Sequence, residues 1–205
     1  GAENALAANF DGVEIHGANG YLLDQFLRDG TNQRTNGYGG TIENRARFLF
    51  EVTKEVVNVL GQGRVGVRIS SGNPFNDIYD SDSEGLFCHV AEGLNSFPLA
   101  YLHVVEMDLA NPADVSGSLN PTTKKVREIY KGIYMTNGGY DRDNAELVLE
   151  AGDADLVSFG RLFLANPDLP ERFKKGAPLN EPDETTFYGG DEKGYTDYPF
   201  LESEK

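Results

Sequence analysis

Phe10-Asp11-Gly12-Val13-Glu14-Ile15-His16 puts Val13 and Ile15 on one side of an extended segment and Glu14 and His16 on the other. Arg64-Val65-Gly66-Val67-Arg68-Ile69-Ser70 repeats the form, with Val65, Val67 and Ile69 opposite Gly66, Arg68 and Ser70. Three more strand candidates follow at 100–106, 133–137 and 155–159, separated by helical patterns over 41–60, 83–95, 122–130 and 141–151. Alternating strands and helices imply parallel strands joined by crossover helices. Such strands, covered on both faces, usually read as unbroken apolar runs. Here the second face carries Gly, Glu, His and Arg, the texture of an inner wall near an active end. The reading is therefore a (β/α)8 TIM barrel rather than an open doubly wound sheet. A full barrel takes eight units and about 250 residues; five units are counted here. Thr41, after Gly39-Gly40, is a candidate N-cap, with Glu43 in the first turn where the helix dipole favours a carboxylate.

Working outward, 166–205 differs in texture. Pro167, Pro170, Pro178, Pro182 and Pro199 interrupt it, and Gly189-Gly190 and Gly194 add turns. The expected division is a barrel portion at 1–165, then a helix at 169–175 and an extended segment within 166–205. The opening residues 1–8 read as a helix with no methionine or basic leader before them.

Composition narrows the function classes. The 205 residues carry 18 Lys and Arg against 33 Asp and Glu, a net charge of −15. That acidity argues against nucleic acid or an anionic membrane surface as partner, since both need a basic patch. Hydrophobic content of 39% supports a packed core. The single Cys88 excludes an intrachain disulfide framework, and no apolar run approaches the roughly 20 residues of a membrane span.

Several motif-like strings carry no chemistry. Gly61-Gln62-Gly63-Arg64-Val65-Gly66 spells a dinucleotide fingerprint but follows a helix and leads into a strand, the reverse of the required order. Asp80-Ser81-Asp82-Ser83-Glu84-Gly85 begins like a calcium loop, yet its twelfth position is Ala91 instead of a bidentate Glu. Cys88 with His89 is too few ligands for zinc, and a lone cysteine of this kind reads as core. His103 shares a face with Tyr101 and Val105 and reads as a hydrogen-bonded structural histidine.

The strand ends are different. His16-Gly17-Ala18-Asn19-Gly20-Tyr21 brings a His, an Asn and a Tyr to the carboxyl end of a barrel strand, where active sites form. His16 and Asn19 offer two N–H donors to one oxygen, and the Tyr21 hydroxyl offers a proton. Arg68, on the inner wall, needs an anionic partner: Glu14 from within or a bound anionic cofactor from outside. Ile133-Tyr134-Met135-Thr136-Asn137 runs into Gly138-Gly139, and Leu156-Val157-Ser158-Phe159 into Gly160-Arg161, two loops suited to a phosphate. Flavin mononucleotide (FMN) satisfies all these demands, with Arg68 near the N1–C2 edge of its ring.

Together with Leu22-Leu23-Asp24-Gln25-Phe26-Leu27, Asn32-Gln33-Arg34-Thr35, Tyr38-Gly39-Gly40, Glu43-Asn44-Arg45-Ala46-Arg47-Phe48, Ala165-Asn166-Pro167-Asp168-Leu169 and Gly194-Tyr195-Thr196-Asp197-Tyr198-Pro199, these motifs resemble the old yellow enzyme family, including 12-oxophytodienoate reductases. The resemblance implies strands four to eight of an FMN-binding (β/α)8 barrel plus its C-terminal segment. It implies that NADPH is the reductant and that the alkene of an α,β-unsaturated carbonyl compound is reduced. It casts His16 and Asn19 as carbonyl binders, Tyr21 as proton donor and Arg68 as a contact of the flavin ring. Gly138, Gly139, Gly160 and Arg161 would hold the phosphate, and Tyr188 would be a substrate-side aromatic. The family's early strands, with a flavin-binding threonine and glutamine, have no counterpart in this sequence. Partners are then the enone and either the remaining half of the barrel or a further copy of the chain. The alternative is a folded or oligomerised piece without flavin. An aldolase-type barrel would want a strand-borne Schiff-base lysine, and the strands carry none. A cytoplasmic location is expected, since Ser203-Glu204-Lys205 is not a peroxisomal terminus.

Overall fold

The computed structural model describes residues 1–72, 76, 78–106, 119–189 and 191–201. Gly190 and the Ser203–Lys205 terminus named above therefore lie outside the described residues. Five parallel strands form one sheet in chain order: β1 (Val13–Gly17), β2 (Val65–Ser70), β3 (Tyr101–Val105), β4 (Tyr134–Asn137) and β5 (Leu156–Val157). The helices are α1 (Ala2–Ala7), α2 (Leu22–Leu27), α3 (Ile42–Leu60), α4 (Ser83–Leu94), α5 (Pro121–Ile129), α6 (Arg142–Glu150), α7 (Arg161–Ala165) and α8 (Leu169–Lys175). A sheet whose neighbours are also sequential, each strand followed by a helix, is the arrangement of consecutive barrel units.

Helix starts follow side-chain chemistry. Thr41 accepts from the Asn44 N–H at 3.4 Å, Asp82 from Gly85 at 2.9 Å, Asn120 from Thr123 at 3.0 Å and Asp141 from Asn144 at 2.8 Å. On the helix-covered face of the sheet, Val65, Val67, Ile69, Leu102, Val104 and Tyr134 are all fully buried. Leu49 of α3, Leu86 and Val90 of α4, Val126 of α5 and Val148 of α6 complete this core. The opposite face is polar, as the alternation of 10–16 and 64–70 predicts.

The chain divides into two compact units, Gly1–Val157 and Ser158–Lys205. Residues 158–165, assigned from sequence to the barrel portion, group with the tail, where the Phe159 ring packs at 5.2 Å on Phe173 of α8. β5 is correspondingly shorter than 155–159, with only Leu156 and Val157 in register with β4. Within the second unit Arg172 is nearly fully buried and donates to Asp168 at 2.6 Å, to the Pro178 carbonyl at 2.6 Å and to the Pro199 carbonyl at 2.8 Å. One side chain thereby ties the proline-rich segment of the tail to α8. No helix among the described residues is long and apolar enough to cross a membrane.

Candidate active site at the carboxyl end of β1 and β2

The polar face of the sheet is built in rows. Strand register places His16 beside Arg68, Arg68 beside His103 and His103 beside Met135; one row nearer the strand starts, Glu14, Gly66 and Tyr101 align. In that lower row Tyr101 lies flat across Gly66: a Cβ at 66 would sit 2.4 Å from the Tyr101 ring. This lets Tyr101 hydrogen-bond Glu14, whose Oε2 also lies 2.8 Å from His103 Nδ1. Burial raises the Glu14 carboxyl, but hydrogen bonds and charge from His103, Tyr101 and Arg68 bring it below the ordinary value. Burial and the nearby Glu14 charge push the Tyr101 hydroxyl up to about 12. His103 is thus the hydrogen-bonded histidine expected from the sequence.

Of the two partners open to Arg68, Glu14 is taken by His103. Arg68 donates instead from Nη2 to Asn137 Oδ1 at 2.9 Å, a neutral acceptor at the end of β4. Its Nε is buried and has no hydrogen-bond partner among the described residues. Burial lowers its pKa, and Glu14 offsets this only through space. A planar cation with an unmet, desolvated donor is a fitting neighbour for an electronegative ring edge. The residues present therefore fit a flavin.

After β1 the chain turns through two left-handed residues, Asn19 (φ 58°) and Gly20 (φ 74°), before Tyr21 caps α2 in an extended conformation. The turn brings the Tyr21 ring to 5.3 Å from the His16 ring. Tyr21 is 58% exposed, unusual for a large ring in a structural role. His16 has its pKa lowered, first by burial and then by the Arg68 charge. Its imidazole is accordingly neutral at pH 7 and still carries one N–H. His16 and Tyr21 are thus brought together, with Arg68 in register beside His16 and Asn19 in the turn that joins them.

The remaining sequence-derived residues are placed separately. Gly138 (φ 154°) and Gly139 (φ 82°) follow β4 in backbone conformations that glycine alone adopts readily. Gly160 precedes α7, and Arg161 ion-pairs with Glu184 at 2.9 Å on the surface of the second unit. Tyr188 is 99% exposed. Cys88 departs from expectation: it lies on α4 only half-buried, because Leu86, Phe87, Val90 and Ala91 take the inward positions. Burial and Glu84 raise its thiol pKa. His89 stacks near Phe50 at 5.9 Å, and no group of three potential metal ligands occurs among the described residues. Asp82 serves as a helix cap and Asp80 as the partner of buried Arg45, so the calcium-like string is structural.

Sequence reasoning missed the groups that hold the turn. Ser70, at the end of β2, accepts the Asn19 N–H on Oγ at 2.8 Å and donates to Asp24 Oδ2 at 3.2 Å. Asp24 Oδ2 also accepts the Gly20 N–H at 2.9 Å, and Oδ1 accepts Arg28 Nε at 2.9 Å. Arg28 Nη2 closes the ring by donating to the Ser70 carbonyl, and its guanidinium lies 4.6 Å above Phe87. Asp24 and Ser70 are fully buried and Arg28 is 3% exposed. The available signal was the four-residue spacing of Asp24 and Arg28 inside an otherwise apolar run.

Residues 1–180 match the model of the NADH:flavin oxidoreductase / NADH oxidase family. Over 99% of its length the chain is 49% identical to putative 12-oxophytodienoate reductase 10 of Oryza sativa subsp. japonica, covering 66% of that protein. It is 50% identical to a probable flavin mononucleotide-dependent alkene reductase of Leishmania infantum, over 98% of this chain and 53% of that one. Among solved structures, morphinone reductase in complex with tetrahydroNAD superposes with a TM-score of 0.89 at 46% identity, covering 98% of this chain and 53% of that one. The old yellow enzyme of Trypanosoma cruzi gives 0.90 at 40% identity, over 97% and 52%. The five parallel units thus correspond to part of a (β/α)8 barrel, and the chain spans about half to two-thirds of the length of these relatives.

Proposed function

The chain belongs to the NADH:flavin oxidoreductase / NADH oxidase family, that of the old yellow enzymes, and from that premise we propose that it carries the substrate-binding and proton-donating half of an FMN-dependent ene-reductase. The reaction is reduction of the C=C bond of an α,β-unsaturated carbonyl compound, with NADPH as the reductant. The observation that supports this most is the pairing of the His16 and Tyr21 rings beside an arginine whose buried Nε has no hydrogen-bond partner among the described residues. The chemistry that FMN supplies when bound is hydride delivery to the substrate β-carbon. Arg68 would hold the electron-rich edge of the flavin ring. Gly138 and Gly139 offer their backbone N–H groups to phosphate, and the family resemblance assigns Gly160 and Arg161 the same role. Neutral His16 and Asn19 donate to the carbonyl oxygen and stabilise the enolate charge as it develops. Tyr21 gives its hydroxyl proton to the α-carbon, and its exposure leaves it free to regain one from water. Tyr188 is proposed as a substrate contact and the cytoplasm as the location.

The test adds FMN to the purified chain, removes excess by gel filtration and records the visible spectrum, then supplies NADPH and an enone in turn. Retained flavin and enone reduction are expected. Tyr21→Phe is expected to slow enone reduction by about a hundredfold or more while flavin reduction by NADPH is unchanged. Equal slowing of both steps overturns the proton-donor role. The coverage of only 53% of the flavin-dependent relative favours a second reading, a folded piece that retains no flavin, and a colourless product supports that instead.

A further inference from the structure

The closed ring of Ser70, Asp24 and Arg28 does more than bury an ion pair. Residues with a side chain enter the left-handed region far less readily than glycine, and Asn19 adopts it directly before a second left-handed residue. The two amides that this conformation presents, those of Asn19 and Gly20, are the ones bound by Ser70 and Asp24. The Asp24–Arg28 ion pair, four residues apart across the end of α2, does not by itself reach β2. Ser70 supplies the tie through both its hydroxyl and its carbonyl. It stands two residues beyond Arg68 on the same face of β2.

We propose that Ser70 is a positioning residue that, with Asp24 and Arg28, locks the Asn19–Gly20 turn to the strand bearing Arg68 and so sets the spacing between the carbonyl-binding donors and the flavin-holding arginine. The inference deepens the reading of the site as an ene-reductase centre and rests on it for the roles of those groups. Loss of the Ser70 hydroxyl removes the acceptor of the Asn19 amide and one donor to Asp24. The turn then relaxes, the Cα–Cβ direction of Asn19 changes, and Tyr21 withdraws from the His16 ring.

The experiment compares the chain with Ser70→Ala and with Thr53→Ala by NMR. Thr53 is an equally buried hydroxyl bonded only within α3, to the Leu49 carbonyl at 2.8 Å, and serves as the structural control. In Ser70→Ala the Asn19 amide is expected to exchange about tenfold faster. The His16 imidazole, which faces Arg68, Glu14, Asp24 and His103, is expected to titrate at higher pH as its cover loosens. Thr53→Ala is expected to move neither. Unchanged Asn19 exchange and His16 titration in Ser70→Ala overturn the proposal, as does an equal shift in Thr53→Ala. Should Ser70→Ala fail to fold, Asp24→Asn is read for Asn19 and Gly20 exchange with the same criterion. With FMN and an enone, kcat is expected to fall about tenfold or more with KM little changed. Absence of any turnover in the unaltered chain counts against the ene-reductase reading, while exchange and titration still decide the role of Ser70.

Discussion

Arg28 and Arg68 flank the same end of β2, and they are wired in opposite ways. Arg28 meets a carboxylate, a carbonyl and an aromatic face. Among the described residues, Arg68 meets one neutral amide oxygen and its buried Nε has no hydrogen-bond partner. The first arrangement is complete within the chain, whereas the second leaves a desolvated charge with an unmet donor. A protein retains such a group where something else is to meet it. The contrast separates an arginine that holds the fold from one proposed to hold a ligand.

The largest effect expected from this contrast is on stability. Arg28→Met leaves the fully buried Asp24 carboxylate without its cation, and unfolding in urea is expected to show a loss of about 3–5 kcal/mol. A loss below about 1 kcal/mol breaks the comparison. Glu106 sharpens it as the acidic counterpart of Arg68, a carboxyl met by the hydroxyls of Thr136 at 2.6 Å and Tyr140 at 3.4 Å and by no cation among the described residues. Burial raises it from 4.5 to about 7. Between those values the folded chain holds more protons than the unfolded one, so stability falls as pH rises through that window and stays lower above it. Glu106→Gln is expected to remove that fall and to be more stable than the unaltered chain at pH 8 by about 3 kcal/mol. Melting curves across pH 4–8 check this.

Smaller effects test the ligand side. Arg68→Met is expected to change unfolding stability by less than about 1 kcal/mol, since the guanidinium has little to lose inside the chain. The same substitution is expected to weaken FMN binding by about 2 kcal/mol, read by flavin titration. Stability loss matching that of Arg28→Met would erase the distinction. Smallest of all, Tyr188→Ala is expected to leave stability within about 0.5 kcal/mol, because its side chain is 99% exposed. If it acts, it acts on substrate alone, as a raised KM.

Much of this was legible from local pattern. The alternation in 64–70 places Arg68 on the polar face, and the cap residue Thr41 marks the start of α3. What stayed hidden depends on contacts across the chain. Ser70 meets Asn19 across 51 positions and Glu14 meets His103 across 89, so no window shows either pair. α2 and α7 are six and five residues long, too short for an apolar period to declare itself. β5 ends after two residues, and Phe159, which the sequence pattern counts in the strand, packs on Phe173, a contact that propensity does not encode.

Gly66 has an evolutionary consequence. A mid-strand glycine is ordinarily an invitation to substitution, since nearly any residue suits a strand better. Here the missing Cβ is the space that the Tyr101 ring occupies. A side chain at 66 is therefore compatible only with a displaced or smaller residue at 101, and a change that moves the phenol from Glu14 leaves that carboxylate to His103 and alters the charge beneath Arg68. A single hydrogen atom at one position leaves room for an arrangement of four residues on three strands.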